Sequence, residues 1–444
     1  MLLAGDLGVR HGRQDHAQRR AAHLIALADR VGQVGVESGL QGGGAGFAHA
    51  AILPPRCENP RMSFPARPLP RALTLAAAGT AAGGAAALAW ASLIERNWYA
   101  LRRVEMPVLA PGTAPLRVLH VSDLHIVPRQ ERRIQWVRQL ARLEPDFVIN
   151  TGDNLSDEHA IPAAMRAMEP LMEFPGAFVF GSNDYFYPKL KNPLRYFDDS
   201  HAKGAAMQTG EFDIAQLRDG FTACGWLDLT HRRERVQVGA DGAALELVGV
   251  DDPHLEYDDY AQVAGEAASR RGEVAATIGV VHAPYTRVLD AMTADGADAV
   301  IAGHTHGGQL CVPFHGALVT NCDLDTSRVK GVSRWWPGAS GVDSTQPVPI
   351  GPGAPAPDGS PLDTAAEIGE RFDVLDAHRV HNDSVSRSEA TARERRRTAL
   401  PSSAAPDDAA WLHVSAGLGH NKYTPVRFAC RPEATLITLT AKAH

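Results

Sequence analysis

A chain of 444 residues is longer than one small domain needs and long enough for a large α/β domain with appended segments. Its 44% hydrophobic and 21% charged residues are those of a folded protein, which excludes wholesale disorder, collagen-like repeats and a multi-span membrane protein. The net charge of −7 argues against a domain built to hold nucleic-acid backbone. Five scattered cysteines without a Cys-x-x-Cys pair provide neither a disulfide framework nor a thiolate zinc site.

Residues 1–61 are rich in Arg, His, Gly and Ala and lack apolar periodicity. They read as a disordered leader, or as sequence upstream of a true start at Met62. Residues 62–97 have the plan of a signal peptide or membrane anchor. Arg67 and Arg71 precede an uncharged run, 72–94, that is long enough to span a bilayer although mostly Ala and Gly. Its Ala89-Trp90-Ala91 triplet suits signal cleavage, and a buried Ala-rich helix is the remaining alternative. Basic residues flank both ends, so the membrane side stays open. Residues 95–101 read as a charged, aromatic juxtamembrane segment.

Regular patterning begins at Leu116. Apolar runs of strand length occur at 118–122, 147–151, 177–180, 245–250, 277–281 and 299–302. Helical spacing runs through Ile134, Val137, Leu140 and Leu143, and 162–169 forms a short helix with Pro162 in its first turn. Strands that are apolar throughout, alternating with helices, predict an α/β sandwich with buried sheets. Residues 337–409 break the pattern with Pro, Gly, Ser and Asp, then charge through Arg393–Arg397, and read as a disordered insertion. Closing strands follow at 411–415 and 435–440. The domain is therefore expected over 98–336 and 410–444.

Metal-capable residues stand at the ends of these strands, where open α/β sheets form ligand sites. The first strand runs into Ser122-Asp123-Leu124-His125, the second into Thr151-Gly152-Asp153-Asn154 and the third into Gly181-Ser182-Asn183-Asp184. Later strands end in Val281-His282 and Gly303-His304-Thr305-His306-Gly307-Gly308. Each alone reads as a turn, a cap or a structural histidine. Together, strand ends that all present carboxylate, carboxamide or imidazole point to a shared metal centre. Oxygen and imidazole donors without thiolate suit Mn²⁺, Fe²⁺/Fe³⁺ or Zn²⁺, and they suffice for two ions sharing a carboxylate.

The set Asp123-Leu124-His125, Gly152-Asp153 and Gly303-His304-Thr305-His306-Gly307-Gly308-Gln309 resembles the calcineurin-like metallophosphoesterases, in particular the bacterial membrane-associated or exported phosphoesterases. The likeness covers 98–336 and 411–440. It implies a four-layer α-β-β-α sandwich and two divalent ions. Asp123, His125 and His306 would hold one ion, His282 and His304 the second, and Asp153 both. The third motif departs from the family's Gly-Asn-His-Asp or Gly-Asn-His-Glu. An ungapped match sets Ser182 at the ligand position and Asn183 at the histidine position; a one-residue shift makes Asn183 the ligand and Asp184 the acid. A carboxamide oxygen is a better donor than a hydroxyl, which favours Asn183 as ligand.

The resemblance implies hydrolysis of phosphate esters, phosphodiesters foremost, by a metal-bridging hydroxide with inversion at phosphorus. The alternative is a binding module of the same fold with lost or altered catalysis. The expected partners are a small or envelope-derived phosphate ester and a membrane met through 72–94, with no nucleic acid, in a membrane-anchored or exported protein. His120 and His413 read as structural, and Asp251–His254 as a substrate-side segment or a turn. Tyr185, Phe186 and Tyr187 read as core before apolar rim, and Cys311 with Cys322 as a pair if the protein is exported.

Overall fold

The computed structural model describes residues 71–188, 210–313, 315–341 and 405–442. The expected leader and most of the expected insertion lie outside these residues. The chain divides into Met1–Pro68 and Leu69–His444, and every described residue belongs to the second unit.

Strands β1 (Ala100–Leu109), β2 (Leu116–Val121), β3 (Phe147–Asn150), β4 (Gly176–Phe178) and β5 (Leu227–Asp228) join the final strand, β14 (Glu433–Ala441), in a six-stranded sheet of order β1-β14-β2-β3-β4-β5. A second six-stranded sheet, β12-β13-β9-β8-β7-β6, is built from β6 (Arg232–Val238), β7 (Ala243–Gly249), β8 (Ala276–Val281), β9 (Ala299–Ala302), β12 (Gly331–Trp335) and β13 (Ala410–Val414). Between β9 and β12, the short strands β10 (Cys311–Val312) and β11 (Gly316–Ala317) form a hairpin. The strands at the centre of each sheet, β2-β3-β4 and β7-β8-β9, are parallel.

Side-chain alternation sorts these strands into layers. Val118, Phe147, Ile149, Ala276, Ile278, Val280, Ala299 and Ile301 meet in one apolar cluster between the sheets. Their neighbours Leu119, Val121 and Val148 face outward onto α2 (Glu131–Gln139), α3 (Ile161–Met168) and α4 (Ile214–Thr222), while Val281, Val300 and Ala302 face α5 (Thr286–Ala294). Both faces of each sheet are covered, so strands such as Ala299–Ala302 are buried at every residue. The outcome is the expected α-β-β-α sandwich. Both closing strands arrive after residue 404. β13 pairs in parallel with β9, and β14 lies between β1 and β2.

The region before residue 110 differs from the sequence reading. Helix α1 (Arg71–Ala89) continues into a π-helical turn, Trp90–Ile94, and a 3-10 turn, Glu95–Asn97. Among the described residues no helix is long and apolar enough to cross a membrane, so the span expected over 72–94 is not met. Ala and Gly supply too little apolar surface. Residues 90–97 are instead built into the domain. Glu95 is buried, accepting from the backbone N–H of Cys430 at 2.7 Å and from Trp90 Nε1 at 3.0 Å, and the Ala91 carbonyl accepts from the N–H of Arg427. Residues 100–109 form an edge strand whose charges (Arg102, Arg103, Glu105) hid it. Cys311 and Cys322 do not form the disulfide expected between them. Cys311 packs instead near Cys430, in a small cluster under the hairpin.

Candidate metal centre

The strand ends converge at one rim of the sandwich. Asp123, His125, Asp153 and His306 each offer one ligand atom within 4.8 Å of the others, and Asp153, His282 and His304 do the same. Asp153 belongs to both groups: Oδ2 lies 3.4 Å from His125 Nε2, and Oδ1 lies 3.5 Å from His282 Nε2. The two groups are therefore contiguous and share one carboxylate.

The backbone is bent to achieve this. Asp123, His125, Asp153, His304 and His306 all have positive φ, between 43° and 68°. Non-glycine residues adopt this left-handed region at a cost of roughly 1–3 kcal/mol each, and such strain concentrates at functional sites. Glycine precedes two of the ligands for a steric reason. A Cβ on Gly303 would collide with Ser122 Oγ and stand 2.8 Å from Asp123 Oδ2.

Hydrogen bonds behind the ligands set their tautomers. His282 Nδ1 lies 2.6 Å from the Thr151 carbonyl and His304 Nε2 lies 3.1 Å from the Asn321 carbonyl. A carbonyl only accepts, so these ring nitrogens carry the proton and the opposite nitrogens turn lone pairs to the centre. His125 Nδ1 is held by Ser156 Oγ at 2.9 Å, which leaves Nε2 facing inward. Burial lowers His125 and His282 to a pKa of about 4 and His306 well below its ordinary value, keeping the imidazoles in the ligand form.

The acidic side of the site is short of positive charge. Burial, and then the neighbouring Asp153 carboxylate, raise Asp123 to about 8. Asp123 Oδ2 accepts from Ser122 Oγ at 2.5 Å and from the N–H of His304 at 3.0 Å, whereas Oδ1 is buried without a hydrogen-bond partner. A buried carboxylate oxygen without a donor, 3.8 Å from His306 Nε2, is what a cation would satisfy. The residues present fit divalent ions.

The third motif behaves differently from its reading. Asn183 stands against Asp153, its backbone N–H donating to Oδ1 at 2.7 Å and its carboxamide nitrogen to Oδ2 at 2.8 Å. Asp184 is fully buried beneath that loop. Its carboxylate accepts from the N–H groups of Asp153 (2.8 Å), Asn154 (2.7 Å) and Gly181 (3.1 Å), and from Asn154 Nδ2 (3.3 Å). The acid role is thereby corrected, because both oxygens are committed to stapling two strand-end loops together and neither reaches the rim.

Two groups escaped the sequence reading. Arg427 is fully buried and donates to the carbonyls of Ala416 (2.7 Å) and Gly417 (3.1 Å), with His306 Nδ1 at 3.3 Å. Arg133, also buried, donates to the carbonyls of Leu124 and His125, each at 2.9 Å. They hold the ligand loops through backbone carbonyls, which no side-chain motif reveals. Asp251–His254 lies beside the centre: the His254 ring is 4.5 Å from that of His304, and Tyr185 Oη donates to Asp251 Oδ1 at 2.7 Å. Tyr185, Phe186 and Tyr187 are half-buried.

Comparison with known proteins agrees with this geometry. Residues 116–308 match the family model of the calcineurin-like phosphoesterases. The uncharacterized protein YpbG of Bacillus subtilis is 29% identical over 206 residues, covering 45% of this chain and 64% of that protein. A bovine (Bos taurus) transmembrane protein with metallophosphoesterase domain is 25% identical over 228 residues, covering 48% of this chain and 45% of that protein. The uncharacterized metallophosphoesterase YkuE of B. subtilis is 22% identical over 223 residues, covering 49% of this chain and 67% of that protein. The chain thus spans between about half and two thirds of these relatives. Residues 116–308, with their strand-end carboxylates and imidazoles, are a calcineurin-like phosphoesterase domain.

Proposed function

We propose that the chain is a dinuclear metal-dependent phosphoesterase acting on phosphate esters, phosphodiesters foremost. The observation that carries the reading is the pair of donor groups sharing Asp153, with Asp123 Oδ1 unpartnered between His125 and His306. Divalent ions in such a pair supply Lewis acidity, bringing a bound water toward ionisation at neutral pH and offsetting phosphoryl charge.

The protein's own residues do the rest. Asp123, His125 and His306 would hold one ion and His282 and His304 the other, with Asp153 shared by both groups. Asn183, turned about its Cβ–Cγ bond, would present an oxygen where its nitrogen now meets Asp153. Asp184 donates no proton here, so the leaving group departs with little help from the third motif. General acid catalysis typically contributes about 10²–10⁴-fold, and activated aryl esters should therefore be cleaved far faster than alkyl esters. The exposed side chains Leu75, Leu88 and Leu93 support contact with a membrane surface, and with it an envelope-derived ester as substrate.

The test is hydrolysis of bis-p-nitrophenyl phosphate with Mn²⁺ by wild type and by Asp153→Ala. Metal-dependent turnover in the first and none in the second is expected. A wild type that binds two equivalents of Mn²⁺ yet hydrolyses neither diesters nor monoesters with Mn²⁺, Fe²⁺ or Zn²⁺ would show a binding module instead.

A further inference from the structure

Behind Asp123 a line of buried side chains crosses the gap between the two sheets. His413 on β13 and His120 on β2 face each other with their Nδ1 atoms 3.1 Å apart. On the far side of its ring, His120 Nε2 lies 2.9 Å from Thr151 Oγ1. Thr151 donates to Ser122 Oγ at 2.7 Å, and Ser122 donates to Asp123 Oδ2 at 2.5 Å. All five residues are buried.

The direction of this chain follows from its acid end. An ionised carboxylate only accepts, and a metal ligand must be ionised. The Ser122 proton is therefore used on Asp123, so Ser122 must accept from Thr151, and Thr151 in turn from an N–H at His120 Nε2. A neutral His120 protonated there has a lone pair on Nδ1, which leaves His413 to supply its own Nδ1–H. Burial keeps both imidazoles neutral, so the assignment is single-valued. Every proton points toward Asp123.

We propose that His120 and His413 are positioning residues for the metal centre: through Thr151 and Ser122 they fix Asp123 Oδ2 as an acceptor and so reserve Oδ1 for the ion shared with His125 and His306. The inference rests on the two-metal reading above. It gives the histidine pair a task beyond filling the core, because the second sheet then helps to orient a ligand carried by the first.

Thr151→Val is the informative variant. It is nearly isosteric and keeps the backbone carbonyl that His282 Nδ1 uses, but it cuts the chain at the hydroxyl. Thr151→Ser restores the hydroxyl. In Mn²⁺ titrations against a competing chelator, wild type binds two equivalents and T151V binds one of them roughly 10- to 100-fold more weakly, the usual effect of losing an outer-shell partner. T151S binds as wild type does. Long-range ¹H–¹⁵N spectra of the wild type loaded with diamagnetic Zn²⁺ should show His120 protonated on Nε2 and His413 on Nδ1, a measurement that stands even if T151V fails to fold. Unaltered binding in T151V, equal losses in T151V and T151S, or the opposite tautomers would overturn the proposal while leaving the centre intact. A wild type that binds no Mn²⁺ would remove the two-metal reading, and this inference with it.

Discussion

Replacing Asp184 by Asn separates a staple from an acid. The carboxylate takes three backbone N–H groups and one side-chain amide in a fully buried position. An Asn has one accepting oxygen. If that oxygen keeps the place of Oδ2, with Asp153, Gly181 and Asn154 Nδ2, the new amide nitrogen confronts the N–H of Asn154. One buried donor is then stranded, at about 1–3 kcal/mol, and the remaining bonds lose their charge assistance, each weakening by roughly 1 kcal/mol. Relief of the burial penalty on the charge, and then of repulsion from Asp153, which together raise Asp184 to about 7, offsets part of this. A net loss of about 3 kcal/mol follows, a fall in Tm on the order of 5–10 °C for a domain of this size. Differential scanning fluorimetry of metal-free protein, with Mn²⁺ titration and paired aryl and alkyl phosphodiesters, reads the outcome. The staple predicts lower Tm, weaker Mn²⁺ binding and equal slowing on both esters. Unchanged Tm and metal affinity, with slowing confined to the alkyl ester, would refute this account and reinstate the acid.

Three further outcomes are expected. Gly303→Ala drives a methyl group into Ser122 Oγ and toward Asp123, and should abolish Mn²⁺ binding while far-ultraviolet circular dichroism stays near that of wild type. Mn²⁺ should raise the Tm of wild type in a concentration-dependent way, by the equivalent of about 2.7 kcal/mol per site at a hundredfold excess over Kd, with EDTA reversing it and Asp153→Ala losing it. Burial pushes the Glu433 carboxyl up, but the charges of Arg102 (3.0 Å away) and Lys330 prevail and hold it down at about 2. A carboxyl depressed in the fold contributes stability above its unfolded pKa, which is lost as pH falls toward the folded one. Urea unfolding should therefore show wild type losing an advantage over Glu433→Gln between about pH 4.5 and 2, and equal slopes in the two proteins would exclude that contribution.

The strand ends are legible in sequence because a sheet covered on both faces is mostly apolar until the chain leaves the core. Asp123, Asp153, His282 and His304 follow β2, β3, β8 and β9 within three residues. What the sequence hides acts through the main chain or over long separations. Arg427 and Arg133 bind carbonyls, and Asp184 binds amide N–H groups, so nothing about their neighbours in sequence marks them. His120 and His413 stand 293 positions apart and meet only because β2 and β13 lie in facing sheets. β1 is obscured because its edge position tolerates charge, and α1 because uncharged length resembles a membrane span while alanine lacks the apolar surface for one.

The order in which the strands are used bears on how the protein is made. Every candidate ligand has been synthesised once residue 306 is added, yet β13 and β14 come after residue 404 and enter different sheets. β1, among the earliest segments of the sandwich, pairs among the described residues with β14 alone and must wait until residues 433–441 are made to find its neighbour. Arg427 and the loop that packs on Asp123 arrive in the same final stretch. A nascent chain halted before residue 405 would therefore carry the donors without the walls that aim them. Competence of the centre becomes a late event, reached only when the carboxy-terminal segment has locked both sheets.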